Sequence, residues 1–219
     1  MRQMSYLAKA ILMLGVAIVG GLQYALASQT MLNTFFSQTK TLQARFTQEV
    51  VDETGFVLDR SSGSLYLSRP GKFRWDYDAY ELGDESSEER GQQIIADGEA
   101  VYILDTELQQ ATKRDLSNAL AEVPSLSLVT EQRQVEEYFK IIDVGLTDGL
   151  SWVILTPKSE DAGFQSLLLG FDQDVLNAIE MVDALNNKTR LTLTSIVLNP
   201  TIDNAKFEAK FADEIDLIE

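Results

Sequence analysis

Lys72-Phe73-Arg74-Trp75-Asp76-Tyr77 decides the fold. Three aromatic residues alternate with three charged ones. An extended chain therefore places Phe73, Trp75 and Tyr77 on one face and Lys72, Arg74 and Asp76 on the other. That is the pattern of a strand in a sheet with one apolar and one wet face. Working outward, Leu65 and Leu67 alternate with serines, and Leu42, Ala44 and Phe46 alternate with polar neighbours. Further strands are expected at residues 94–96, 100–104, 138–144, 150–156, 166–171, 175–181, 190–198 and 206–211.

The connections are short. Asp97-Gly98 between two apolar runs is a hairpin signal, and Asp148-Gly149 and Asn186-Asn187 play similar parts. Pro70, Pro157 and Pro200 fall at strand ends, where a missing N–H is tolerated. Short connections make neighbours antiparallel, so the expected architecture is a meandering, strongly curved antiparallel sheet. The charge-rich stretch 81–90 reads as a solvated loop.

Two helical segments interrupt the strands. Met31, Leu32, Phe35 and Phe36 recur at helical spacing, with Ser28 or Thr30 as a possible cap. Leu116, Leu120, Leu126 and Leu128 mark a second segment, which Pro124 divides into two short helices. These helices offer more apolar face than one sheet surface needs. If they pack tightly over the concave side, the interior is an ordinary core; if loosely, it is a cavity behind a lid. Close packing is the rule in interiors and favours the core.

The amino-terminal end bears on the compartment. Arg2 and Lys9, the apolar run from residue 10 to 22 and the small residues Ala25 and Ala27 are the three parts of a secretory signal peptide, with cleavage expected between Ala27 and Ser28. The apolar run is short for a membrane span, which takes about 20 residues. Residues 1–27 are thus expected to be a signal peptide and residues 28–219 a single soluble domain. Removing the signal takes two positive charges and lowers the net charge from −16 to −18. So acidic a chain repels phosphate backbones and anionic lipid surfaces, and no nucleic-acid partner is expected.

The chain contains neither Cys nor His. No disulfide can form, no N-terminal cysteine can be lipidated, and the usual general base, zinc ligand and Ser-His-Asp triad are missing. Paired carboxylates could still support hydrolysis, but no pair stands out in an apolar setting. We expect no catalytic residues, no metal and no cofactor.

Several segments carry a resemblance. Arg69-Pro70-Gly71-Lys72-Phe73-Arg74-Trp75 is similar to an Arg-Pro pair followed by an apolar-aromatic strand in the outer-membrane lipoprotein carrier protein (LolA) family. Phe46-Thr47-Gln48, Asp97-Gly98 with Val101-Tyr102-Ile103-Leu104-Asp105, Leu108-Gln109-Gln110-Ala111-Thr112, and Trp152-Val153-Ile154-Leu155-Thr156-Pro157-Lys158 resemble further family segments in the same order. Together they run through nearly all of the chain beyond Leu42. Two features depart from the pattern: the long insertion at 81–90, and Ala212 in Phe211-Ala212-Asp213 where the family commonly has Pro.

The resemblance implies a mainly β fold with some α: an incomplete, strongly curved antiparallel β-barrel with short helices covering its apolar concave face. It implies a periplasmic carrier that shields the acyl chains of lipoproteins and makes or breaks no bond. Its partners would be acylated lipoproteins as cargo, an inner-membrane ABC-type release complex and an outer-membrane acceptor lipoprotein, with the carrier itself a monomer. Arg69 falls on the family's lid-closing Arg, and Phe73 on the Phe near the cavity mouth. Trp75, Tyr77, Leu65, Leu67 and Phe46 would line the cavity, and Leu116, Leu120, Leu126 and Leu128 would sit on the lid helices. Bland readings compete: Arg69 as a surface ion pair, and Phe73, Trp75 and Tyr77 as sheet core. At the level of function, a lipid-binding or lipid-sensing periplasmic module of the same fold is the main alternative. A membrane-anchored acceptor is disfavoured by the absent Cys.

Overall fold

A single twelve-stranded sheet carries the structure, a computed structural model that describes residues 30–78, 91–106, 108–122 (120–122 by backbone alone), 135–159, 162–212 and 215–218. The first half contains β1 (Thr41–Val51), β2 (Val57–Ser68), β3 (Lys72–Tyr77), β4 (Gln92–Asp97), β5 (Ala100–Asp105) and β6 (Gln110–Asp115). The second contains β7 (Phe139–Thr147), β8 (Leu150–Pro157), β9 (Phe164–Asp172), β10 (Val175–Asp183), β11 (Lys188–Leu198) and the short β12 (Asp216–Ile218). Helix α1 spans residues 30–38, α2 Leu116–Glu122 and α3 Val135–Tyr138.

The sheet order is β12-β6-β5-β4-β3-β2-β1-β11-β10-β9-β8-β7. Each half is an antiparallel meander, and the two are joined at the centre, where β1 pairs with β11 and Phe46 lies opposite Leu193. Only β12, beside β6, is parallel. Between β6 and β7 the chain must pass from one edge of the sheet to the other, and α2 and α3 lie on that crossing. Register shifts within β1, β7 and β10 mark bulges, which bend a strand and increase its twist. The sheet therefore curls without closing, as an incomplete barrel.

Alternation sets the two faces. In β1, Leu42, Ala44 and Phe46 are buried while Gln43, Arg45 and Thr47 are exposed. In β3, Phe73 and Trp75 join the apolar interior, while Arg74 and Asp76 pair with each other at 2.7 Å. Phe46 lies opposite Gly63 of β2, and Gly63 opposite Tyr77 of β3. With no side chain at Gly63, the Phe46 ring reaches across to Trp75 and Tyr77, at centroid separations of 5.1 and 5.3 Å.

The turns follow their residues. Asp148 and Gly149 both take left-handed angles, as a two-residue hairpin turn requires. The Asp97 carboxylate accepts hydrogen bonds from the amides of Glu99 and Ala100, both at 2.8 Å. Asp115 closes β6 and caps α2 through the amides of Ser117 and Asn118. Thr30 lies within α1; Ser28 and Pro124 fall outside the described residues.

One expected strand is corrected. Residues 206–211 are not a strand: residues Asn204–Phe207 form a 3-10 turn, capped by the Asp203 side chain on the Ala205 amide. The turn crosses the outer face of β3, where Arg74 bonds the Lys206 carbonyl at 3.3 Å and Lys72 the Asn204 side chain at 3.3 Å. Phe207 is buried beneath it, and the Lys206 ammonium lies 4.3 Å from the centre of the Tyr66 ring. The alternation of Phe207, Ala209 and Phe211 with charged residues thus serves a strap over the sheet. Strand β6 and the first half of β2 have largely polar sequences, and β12 is only three residues long; none was expected as a strand from the pattern alone.

Gly63→Ala tests this arrangement. An added Cβ would lie 2.5 Å from the Phe46 ring and collide with the Asp76 carbonyl. The variant should lose about 1–3 kcal/mol of stability and show a weakened near-ultraviolet aromatic signal; an unchanged melting temperature would contradict the tight aromatic stack.

Candidate functional site

The concave face holds a cavity of about 300 Å³. Leu65 and Leu67 of β2 and Phe73, Trp75 and Tyr77 of β3 form one wall. The opposite wall comes from β9, β10 and β11, including Leu167, Leu169, Ile179 and Leu191. Phe35 and Phe36 of α1 lie over one end. Gln48, Tyr77 and Thr189 bring polar atoms to the other. A volume of about 300 Å³ lies at the lower limit of small-molecule sites.

Helix α1 covers the cavity because of its spacing. Leu32, Phe35 and Phe36 are buried on one side, while Asn33 and Ser37 face outward. Phe35 packs edge-on against Phe171 of β9 at 5.8 Å. A helix this short is not stable alone. Burying its three large apolar side chains contributes at most roughly 5–8 kcal/mol, so docking on the sheet is what holds it.

Arg69 joins that helix to the sheet. It follows β2 and precedes Pro70 in the β2–β3 turn, with its backbone amide bonded to the Lys40 carbonyl at 2.8 Å. Its Nη1 donates to the carbonyl of Thr39, just past the end of α1, at 2.7 Å. The guanidinium carbon lies 5.4 Å from the centre of the Phe35 ring and 5.1 Å from that of Phe36. Burial pushes its pKa down to about 10, so the group stays cationic at neutral pH. The carbonyl end of a helix and aromatic faces both favour a cation. The described contacts of Arg69 thus tie α1 to the β2–β3 turn. Leu116, the first residue of α2, is buried over that turn, where a Cβ on Gly71 would lie 3.5 Å from its side chain.

The other expected residues distribute as follows. Phe73, Leu65 and Leu67 are buried lining residues, and Trp75 and Tyr77 are half-buried ones. Phe46 is fully buried behind Trp75 and Tyr77 and supports the wall from within the core. The side chains of Leu120, Leu126 and Leu128 lie outside the described residues. Sequence reasoning did not single out Phe35 and Phe36 as lining, nor Gln48, Thr189 and the wall from β9 to β11. The alternation of Leu167, Leu169 and Phe171 was the available signal. A larger groove of about 690 Å³ runs along the ends of β1, β2 and β11, lined by groups such as Thr47, Arg60 and Asp78. Its ion pairs, Arg60 with Glu49 and Arg45 with Asp78, make it a wet surface unsuited to apolar ligands.

An open, curled sheet with a covered apolar hollow has the form of a binding site for hydrophobic ligands; among the described residues no group of carboxylates is placed to hold a metal ion. Residues 37–210 match the family model of the outer membrane lipoprotein carrier protein LolA. The chain is 36% identical over 191 residues to an outer-membrane lipoprotein carrier protein of Methylococcus capsulatus, covering 87% of each chain. It is 37% identical over 177 residues to one of Methylobacillus flagellatus, covering 81% and 82%. A crystal structure of an uncharacterised conserved protein from Thermus thermophilus shares the fold, with a TM-score of 0.52, 13% identity, and 87% and 98% of the two chains covered. The chain belongs to the LolA family.

Arg69→Leu removes the bond to α1 and also a buried charge, so the melting temperature should change little. The Thr39 amide, which bonds the Phe35 carbonyl at 3.0 Å, should exchange with solvent roughly tenfold faster or more, since a charged hydrogen bond is worth about 1.5–3 kcal/mol. Unaltered exchange would show that Arg69 does not hold α1.

Proposed function

We propose that the protein is a periplasmic carrier which shields the acyl chains of lipoproteins in its concave cavity and moves them from the inner to the outer membrane. The observation that carries this reading is the cavity itself, almost entirely apolar, lying beneath a short helix in a chain of the lipoprotein carrier family. Chain-length arithmetic shapes the mechanism. Each buried CH₂ contributes about 0.8 kcal/mol, so a triacylated anchor holds its membrane with something on the order of 30–40 kcal/mol. A soluble carrier does not extract such cargo unaided. An inner-membrane ABC-type release complex supplies the energy, and an outer-membrane acceptor lipoprotein takes the cargo. Residues 1–27 act as the signal peptide, and the carrier works as a monomer without cofactor or catalytic step.

The site must be good enough to keep acyl chains from water and weak enough to release them. Arg69 acts as the latch of the cover: its bonds stabilise the closed, empty state, which competes with cargo and aids release. Phe73 stands at the cavity mouth, with Leu65, Leu67, Trp75 and Tyr77 as lining. Leu116, with Leu120, Leu126 and Leu128, belongs to the second part of the lid.

A hydrophobic fluorophore should bind the native protein and be displaced by an acylated peptide but not by the same peptide without its acyl chain. Phe73→Glu should weaken that binding at least tenfold, because an unpaired charge in an apolar site costs several kcal/mol. Its circular dichroism should stay that of a folded protein with a cooperative but lowered melt, since Phe73 is buried when the cavity is empty. No displacement in a folded protein would refute the carrier reading, and a collapsed melting temperature for Phe73→Glu would move Phe73 from the mouth to the core.

A further inference from the structure

Trp75 brings a polar atom into the apolar wall formed by β2 and β3. Trp75 Nε1 is buried and, among the described residues, has no hydrogen-bond acceptor. Buried indole N–H groups ordinarily find a partner, and one left unmet weakens the fold. The packing does not explain the choice of residue. Trp75 lies against Phe46 at 5.1 Å and Tyr77 at 6.5 Å, and a phenylalanine could fill the same layer without a donor. Along the cavity, Trp75 stands between Phe73 and the end that carries Tyr77, Gln48 and Thr189. There the Tyr77 hydroxyl reaches the Gln48 side-chain oxygen only at 3.5 Å, the limit of a hydrogen bond. One band of the cavity thus holds donors that are unmet or weakly met; apart from the Arg69 guanidinium at the α1 end, the rest of the lining is hydrocarbon.

An acyl chain has a single kind of hydrogen-bonding atom, the oxygen at its carbonyl end. We propose that Trp75 recognises the acyl linkage: its Nε1–H donates to the carbonyl oxygen of an acyl ester or amide seated in the cavity, fixing how far the chain inserts. This rests on the carrier reading and goes beyond it, because a purely hydrophobic pocket would not distinguish an acyl from an alkyl chain.

The test uses three lipopeptides of one sequence, linked through palmitoyl ester, palmitoyl amide or hexadecyl ether, titrated against wild type and Trp75→Phe. Wild type should bind one or both carbonyl-containing ligands about five- to tenfold tighter than the ether. Trp75→Phe should bind all three as wild type binds the ether. The Trp75 indole resonance, assigned by its loss in Trp75→Phe, should move downfield with the preferred linkage and not with the ether. The ester and amide arms show which linkage supplies the oxygen. Equal affinities in wild type, or a carbonyl preference that survives Trp75→Phe, would overturn the proposal. The wild-type comparison decides alone if the variant misfolds. Binding of none of the three would overturn the carrier reading and this inference with it.

Discussion

A sheet that curls but does not close leaves an apolar concave face that something else must cover. Everything notable in this structure follows from that constraint. Alternation along β1, β2 and β3 concentrates Leu42, Phe46, Leu65, Leu67 and Phe73 on the inside. The meanders meet at β1 and β11 and leave β7 and β12 as edges. Full closure would fill the interior with side chains, as in small barrels. Here the opening is bridged by α1, a helix too short to stand alone, so the cover is one of the less stable parts of the fold by construction.

Arg69 shows how such a cover is tied to the sheet. A guanidinium packed against two phenylalanine rings, with a carbonyl at 2.7 Å, is a favourable arrangement that carries a desolvation penalty. The two effects oppose each other, leaving a modest net hold. The cavity of about 300 Å³ fits the same picture. It is small for several acyl chains, so cargo must displace the cover rather than slip beneath it.

Much of this was legible in the sequence, and the exceptions have physical causes. The β3 hexapeptide, the Asp-Gly turns and the helical spacing of Leu32, Phe35 and Phe36 each express one local rule, and each emerged where expected. Period-two alternation failed at residues 206–211, because it reports which side chains can share a face and not whether a free sheet edge is near. β6 escaped because Gln110-Ala111-Thr112-Lys113-Arg114-Asp115 buries little beyond Ala111 and is a strand through its neighbours on both sides. The choice between packed core and cavity was not local at all. It depends on how α1 and the walls from β2–β3 and β9–β11 meet, which is why the residues alone favoured a core. The role expected of Arg69 came from resemblance; its seat against Thr39 and the two Phe rings comes only from the fold.

The central claim is that apolar cargo lies inside the concave face, in the hollow that α1 covers in the empty protein. The most direct test is intermolecular nuclear Overhauser contact between an isotope-labelled acyl chain and methyl groups of the bound protein. Contacts should reach Leu65, Leu67, Leu167 and Leu191 from both walls at once, with shifted resonances for Phe35 and Phe36. Contacts confined to outward-facing methyls, such as those of Ile142, Val144 and Leu146, with unshifted cavity signals, would contradict the account.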